Sequence, residues 1–424
     1  MRADRNALMP GAHGRWRAGA RLLVPAVLAG ALALSGCSKG GDGPAWQGGR
    51  PTPTAKASAT ITTPAADAKD VPASTEIVFT TKDATNSTVE LKDASGKAVE
   101  GTLSKDGKSW LPNGALKYGT TYTATVNVTD SDGKTATATN TFTTMAKPSN
   151  VNRATSFLGD GAVVGVGMPL IVKFNKAVPQ DYRDDVQRRL TVKSDPPQEG
   201  GWRWISPTEV HFRPKVFWKA NSKISYRMQL GGLPMGNNVY GSSDVTVDIK
   251  TGSAFIMSVD NKTKQMTVTK DGQVIKTLPV SLGKPSTPSS SGTTVVMEKF
   301  KKTTFDTRDD PDPANRYVTD IDWAQRLTYG GEFIHAAPWS EGKQGRENVS
   351  HGCVNVSEAM GEWLFNQTRI GDPITVKNTE RKLQNGNGWT DWNMSWDEFI
   401  KGSAIPYEEP SDESSGDPTP ATTP

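Results

Sequence analysis

Cysteine and histidine are scarce in this 424-residue chain, at two and four residues. A zinc site usually gathers several cysteines or a helically spaced pair of histidines, and no stretch here offers more than one Cys. Positive charge is missing as a patch. The formal net charge is +4, but Arg2, Arg5, Arg15, Arg17 and Arg21 face only Asp4 within residues 1–36. Everything from Cys37 onward is therefore about neutral. The concentrated basic face of a nucleic-acid binder is absent, so no nucleic-acid partner is expected. The apolar run Leu22 to Leu34 holds thirteen uncharged residues, short of the roughly 20 that cross a bilayer.

What is present suits an exported, multidomain protein. Hydrophobic residues make up 35% and charged residues 22%, proportions that support folded cores. At roughly 100–200 residues per domain, two to four domains are expected. The Arg-bearing start and short apolar run have the form of a secretory signal over 1–36. It ends in Leu34-Ser35-Gly36-Cys37, which resembles the lipobox of bacterial lipoproteins and marks Cys37 for lipidation. Acyl chains there would anchor the protein to the outer face of the cytoplasmic membrane. Residues 37–58 are rich in Gly, Pro, Ser, Thr and Ala and read as a flexible tether. Residues 409–424 read as a disordered tail.

Between 59 and 148 short alternating runs are bounded by turn residues. Glu76 to Thr80, Ser87 to Lys92 and Tyr122 to Val128 are strand candidates, with Asp106-Gly107 and Asp132-Gly133 as tight turns. A similar stretch covers 149–251, with strands at Leu170 to Phe174, Val210 to Phe212 and Val245 to Ile249. Both read as immunoglobulin-like antiparallel sandwiches. Tyr122 and Tyr226 each open a strand in the manner of a tyrosine corner. Residues 252–378 are again strand-rich, from Ala254 to Val259, Gln265 to Thr269 and Val274 to Val280. Ser357 caps a short helix with Met360, Trp363 and Leu364 on one face and Gly371 beyond its end. Residues 379–408 carry Trp389, Trp392 and Trp396 and a capping-box spacing from Ser395 to Glu398. They read as an extension docked against its own domain, with a carbohydrate platform as the other reading. The expected fold class is thus mostly β, with two sandwiches ahead of a β-rich domain bearing short helices.

Chemistry concentrates in Ser350-His351-Gly352-Cys353-Val354-Asn355. In an extended segment, His351 and Cys353 would share a face, with Gly352 allowing close approach of a substrate to the backbone. His335 lies in a second strand-like run, Phe333 to Ala337. A thiol of pKa near 8.5 is mostly protonated at neutral pH, and an imidazole can take its proton. With Cys37 lipidated, Cys353 has no disulfide partner. The residues alone leave open a zinc site of His335, His351 and Cys353, or an inert buried thiol.

His335, followed by residues 336–349 and then Ser350-His351-Gly352-Cys353-Val354-Asn355, resembles the motif of the L,D-transpeptidases. So do the run His335 to Ser340 and a turn at Ser291-Gly292-Thr293. Together with the lipobox and two sandwiches, the resemblance is to the mycobacterial and actinobacterial members. It implies a Cys353 nucleophile, a His335 base oriented by the Ala336 carbonyl, and a pocket shaped by His351 and Gly352. It further implies a Tyr317 hydroxyl over the pocket, Ser350 fixing His351, and Asn355 supporting the loop. Backbone N–H groups near Cys353 would hold the oxyanion. The segment from about 300 to 322 would be a lid. The implied reaction joins two peptidoglycan stem peptides through a thioester, without metal or cofactor, and is sensitive to carbapenems. An L,D-carboxypeptidase using the same thioester and a non-catalytic wall-binding lipoprotein are the alternatives.

Overall fold

The computed structural model describes residues 55–308, 313 and 316–408. The signal, Cys37, most of the tether and the tail lie outside them, as do positions 309–312, 314 and 315 of the expected lid. The protein is mostly β. Its strands alternate buried and exposed residues because side chains two apart share a face. In the strand Thr121–Thr129, Tyr122, Ala124, Val126 and Val128 all point inward. Burying a large apolar side chain contributes about 1.5–3 kcal/mol, so this pattern holds the register.

The first sandwich pairs a four-stranded sheet with a five-stranded one over a core that includes Ile77, Phe79, Leu91 and Trp110. Tyr122 forms a tyrosine corner: its hydroxyl accepts from Lys117 N at 3.0 Å. The second sandwich pairs two four-stranded sheets. Here the expected corner fails. Tyr226 lies inside the strand Lys223–Gln229, and its hydroxyl meets Ser156 across the core.

Residues 255–382 form a six-stranded sheet and a four-stranded one. The second runs Glu298–Asp306, Val318–Arg326, Phe333–Ala336, Val354–Val356. Their shared core includes Phe255, Met257, Ile334, Val354 and Leu364. Leu364 comes from the helix Glu358–Gln367, whose cap Ser357 accepts from Met360 N. Ser291-Gly292-Thr293 is not a turn but part of the strand Ser290–Val295. The segment expected as a lid is largely a hairpin, with Glu298 opposite Arg326 and Asp306 opposite Val318.

The C-terminal extension docks mainly on the second sandwich rather than only on its own domain. Trp389 packs edge-on against Phe157, and Trp392 Nε1 donates to Gly167 O at 2.6 Å. The Arg213 guanidinium lies over Trp392 and Phe399 at 4.5 and 4.6 Å. The Ser395–Glu398 capping box is formed. Gly165 and Gly167 donate to Ile370 O and Gly371 O. A Cβ at Gly165 would stand 2.1 Å from Asp372 N, so glycine is required for this approach.

Candidate active site

The strand Phe333–Ala336 runs parallel to Val354–Val356, setting His335 opposite Asn355. Cys353 stands one residue before that strand. Both are nearly sealed from solvent, yet both line a cavity of about 330 Å³. Tyr317, Ser350, His351 and Asn355 line it too, together with Phe305, Thr319, Ile321, Trp339 and Val349. The fold thus gathers residues from the hairpin, the His335 strand and the 350–355 segment.

His335 Nδ1 stands 2.7 Å from Ala336 O. A carbonyl can only accept, so Nδ1 carries the hydrogen and Nε2 keeps its lone pair. Burial pushes the imidazole down to about 4, against a smaller pull from the Ala336 carbonyl. Phe305 meets the ring edge-on at 5.6 Å, and Trp339 lies 6.0 Å away. Burial pushes the Cys353 thiol up to about 12. The Phe333 N–H opposes this, and the nearby Glu332 carboxylate adds to it. Its S–H donates to Gly331 O at 3.7 Å; among the described residues no hydrogen bond joins it to either imidazole. Catalytic contacts are often long before substrate binds.

The alternation expected for 351–353 does not occur. Gly352 has φ +125°, which turns the chain, so His351 is exposed while Cys353 is buried. Ser350 Oγ donates to Cys353 O at 2.7 Å and accepts from Gly352 N at 3.1 Å. It therefore staples this turn. His351 is held from elsewhere: Lys284 Nζ donates to its Nε2 at 2.9 Å, and the Tyr317 ring lies 4.9 Å from its own. Asn355 Nδ2 donates to Ser340 Oγ at 3.3 Å, tying the strand to the turn after His335. Burial and the neighbouring Cys353 hold the Tyr317 phenol above its usual range, so it remains a donor. No group of three or more His, Cys, Asp or Glu among the described residues is placed to hold a metal.

Residues 255–376 match the L,D-transpeptidase catalytic domain family, and residues 68–234 match a bacterial Ig domain. L,D-transpeptidase 2 of Mycobacterium tuberculosis is 34% identical over 332 residues, covering 77% of this chain and 80% of that protein. The chain belongs to the L,D-transpeptidase family. Another member, L,D-transpeptidase 5 of the same organism, is 33% identical over 329 residues, covering 75% and 71%. A solved L,D-transpeptidase in complex with imipenem is 31% identical, with a TM-score of 0.46 over 53% of this chain and 97% of that one.

For this L,D-transpeptidase, sequence reasoning missed Phe305, Glu332, Lys284 and Ser289. Ser289 Oγ donates to Gly352 O at 2.7 Å and braces the turn from behind. Glu332 accepts from Ser290 Oγ at 2.7 Å and pairs with Arg381. None of them belongs to the motif; Phe305 meets His335 from 30 residues away, and the partners of the other three stand 42 to 67 residues away. Only the pairing of strands brings them in.

Proposed function

We propose that Cys353 is the nucleophile and His335 the base of a reaction that cross-links peptidoglycan stems. One observation carries this reading: a single cavity holds a buried thiol and an imidazole whose Nε2 lone pair is reserved by the Ala336 carbonyl. Sγ attacks the carbonyl joining the third-position diamino acid to the terminal D-Ala. The thiol proton passes to His335 Nε2, the S–C bond forms, and the C–N bond breaks. D-Ala leaves as an amine carrying that proton. The side-chain amine of a neighbouring stem's diamino acid then attacks the thioester. One of its protons moves through His335 to sulfur as the new C–N bond forms and the C–S bond breaks, which frees the thiol.

Burial favours the neutral thiol and the neutral imidazole. Proton transfer therefore accompanies attack, rather than preceding it as a resting ion pair. Gly352 N–H already donates to Ser350 Oγ. An oxyanion would instead draw on the Cys353 N–H and the Tyr317 hydroxyl. His351 and Gly352 shape the wall around the thiol. Carbapenems would acylate the same sulfur.

Purified tetrapeptide stems test the reading. A cross-linked dimer is the expected product. A tripeptide monomer alone would make the protein an L,D-carboxypeptidase, and no product would leave a wall-binding lipoprotein. The lipobox supports lipidation at Cys37 and export to the outer face of the cytoplasmic membrane. Cys37→Ser should release the protein from the membrane fraction or leave an uncleaved precursor. A mature-sized variant that still partitions into detergent would refute the anchor.

A further inference from the structure

Among the described residues, the cavity lining contains no Lys, Arg, Asp or Glu. The stem proposed to enter it ends in a carboxylate, on the residue that leaves. Bringing a carboxylate against an uncharged wall without a counter-charge is costly. One ammonium stands beside His351, an exposed residue of that lining. Lys284 Nζ lies 2.9 Å from Nε2 of His351. Since Lys can only donate, that Nε2 is unprotonated. Among the described residues Lys284 has no acidic partner, and its side-chain hydrogen bond goes to a ring nitrogen rather than to an anion.

Its backbone is anchored on both sides. Lys284 N donates to Ser350 O at 2.9 Å, and Lys284 O accepts from Thr287 N at 2.9 Å. Gly283 bridges Ser350 in parallel. The lysine is therefore built onto the same turn that carries Cys353, and only its side chain is free to adjust. Of its three N–H groups one is used on His351, which leaves donors for an incoming anion.

We propose that Lys284, beside His351, receives the free carboxylate of the donor stem's terminal D-Ala. This rests on the transpeptidase reading and names the group that recognises its leaving residue. Lys284 then selects stems that end where the cut is made. A stem whose terminal carboxylate is masked as an amide presents no charge and leaves the ammonium uncompensated. A hydrogen bond to a charged group contributes about 1.5–3 kcal/mol, which is on the order of tenfold to a hundredfold in kcat/KM.

The test compares a tetrapeptide stem ending in a free acid with its C-terminal primary amide, on wild type, Lys284→Met and Lys284→Arg. Wild type should prefer the acid by about tenfold or more. Lys284→Met should bring the acid-to-amide ratio close to one, and Lys284→Arg should retain most of the preference. Equal loss on both substrates in Lys284→Met would mean that the lysine only steadies His351, and would overturn the proposal. So would a wild type that turns over acid and amide alike, a result that stands even if Lys284→Met fails to fold. A wild type that converts neither substrate overturns the donor reading itself, a pattern distinct from equal conversion.

Discussion

Two histidines in this protein are equally hidden from solvent, His211 at 3% exposure and His335 at 4%, yet they are driven in opposite directions. His211 lies on the second sandwich beneath the C-terminal extension. Its Nδ1 faces Asp391 at 2.9 Å and its Nε2 faces Glu209 at 2.8 Å. Two carboxylates require two donors, so the ring is an imidazolium. Burial alone would lower its pKa, but Asp391 and Glu209 overcome that and raise it to about 9. His335 has the Ala336 carbonyl, the uncharged Asn355 side chain and aromatic rings for neighbours, and burial leaves it near 4. Burial does not determine what a histidine does; the charges buried with it do. One ring is locked as a cation in a structural clasp, and the other is kept neutral with a lone pair to spend.

The largest expected effect belongs to the thiol proposed as the nucleophile. Cys353→Ala should abolish both cross-linking and carbapenem acylation with the fold intact. Mass spectrometry should show a drug adduct on wild type only, and an adduct on the variant would end the assignment. His335→Ala should come next, losing acylation by about 10²–10⁴-fold near neutral pH, the usual contribution of a general base. Its recovery in alkali bears on the burial argument. An ordinary thiol ionises near 8.5, but Cys353 is held near 12. The rate of His335→Ala should therefore keep climbing past about pH 10 without a plateau, followed with a chromogenic β-lactam. His351→Ala should be impaired through the shape of the wall and recover little. If His351→Ala shows the climb instead, the base has been misassigned.

The clasp should respond in the opposite sense. His211→Ala leaves Asp391 buried without the imidazolium it faces, while half-buried Glu209 keeps only Lys173; breaking a buried pair costs on the order of 3–5 kcal/mol. Chemical denaturation should show that loss, while acylation per folded molecule changes little. A His211→Ala variant that is as inactive as His335→Ala but fully stable would reverse the two roles.

Much of this contrast was readable from the chain only on one side. The His335–Cys353 spacing, the cap at Ser357 and the alternation of Tyr122 to Val128 are local patterns, and local patterns survive in a sequence. The His211 clasp depends on Asp391, 180 residues away, and the Lys284–His351 contact joins positions 67 apart. Neither leaves a periodic trace. The hairpin in the segment expected as a lid was hidden because Glu298–Asp306 carries charged and polar residues on both faces, so alternation is weak. The turn at Gly352 was misread as extended because its φ of +125° is open to glycine but marked by nothing else nearby. The docking of the C-terminal extension depended on Arg213, a buried cation whose aromatic partners Trp392 and Phe399 belong to another part of the chain.

The smallest and most discriminating effect lies in the pH dependence of stability, because each histidine contributes a single proton spread over a wide range. His211 has a folded pKa raised to about 9 over an ordinary value of 6.5. Its contribution is complete below about 6.5 and is lost as pH rises through 9, since the folded state there gives up a proton the clasp needs. The groups that face it are Asp391 and Glu209. Glu209, which also pairs with Lys173 at 3.4 Å, is itself held below the usual carboxylate range by its bond to His211. His335 is displaced the other way, to about 4. Its neutral form is favoured on folding, so its contribution is present above 6.5 and is lost as pH falls toward 4. Each shift corresponds to a few kcal/mol at most, at about 1.4 kcal/mol per unit. Denaturation midpoints measured across both ranges, for wild type, His211→Gln and His335→Gln, separate the two. The wild-type decline between about pH 6.5 and 9 should flatten in His211→Gln and persist in His335→Gln. On the acid side the carboxylates also titrate, so the informative quantity is the difference between wild type and His335→Gln, which should shrink as pH falls from 6.5 to 4. A His211→Gln protein that keeps the full alkaline decline would show that the clasp is not an ion pair, and the contrast between the two buried rings would lose its physical basis.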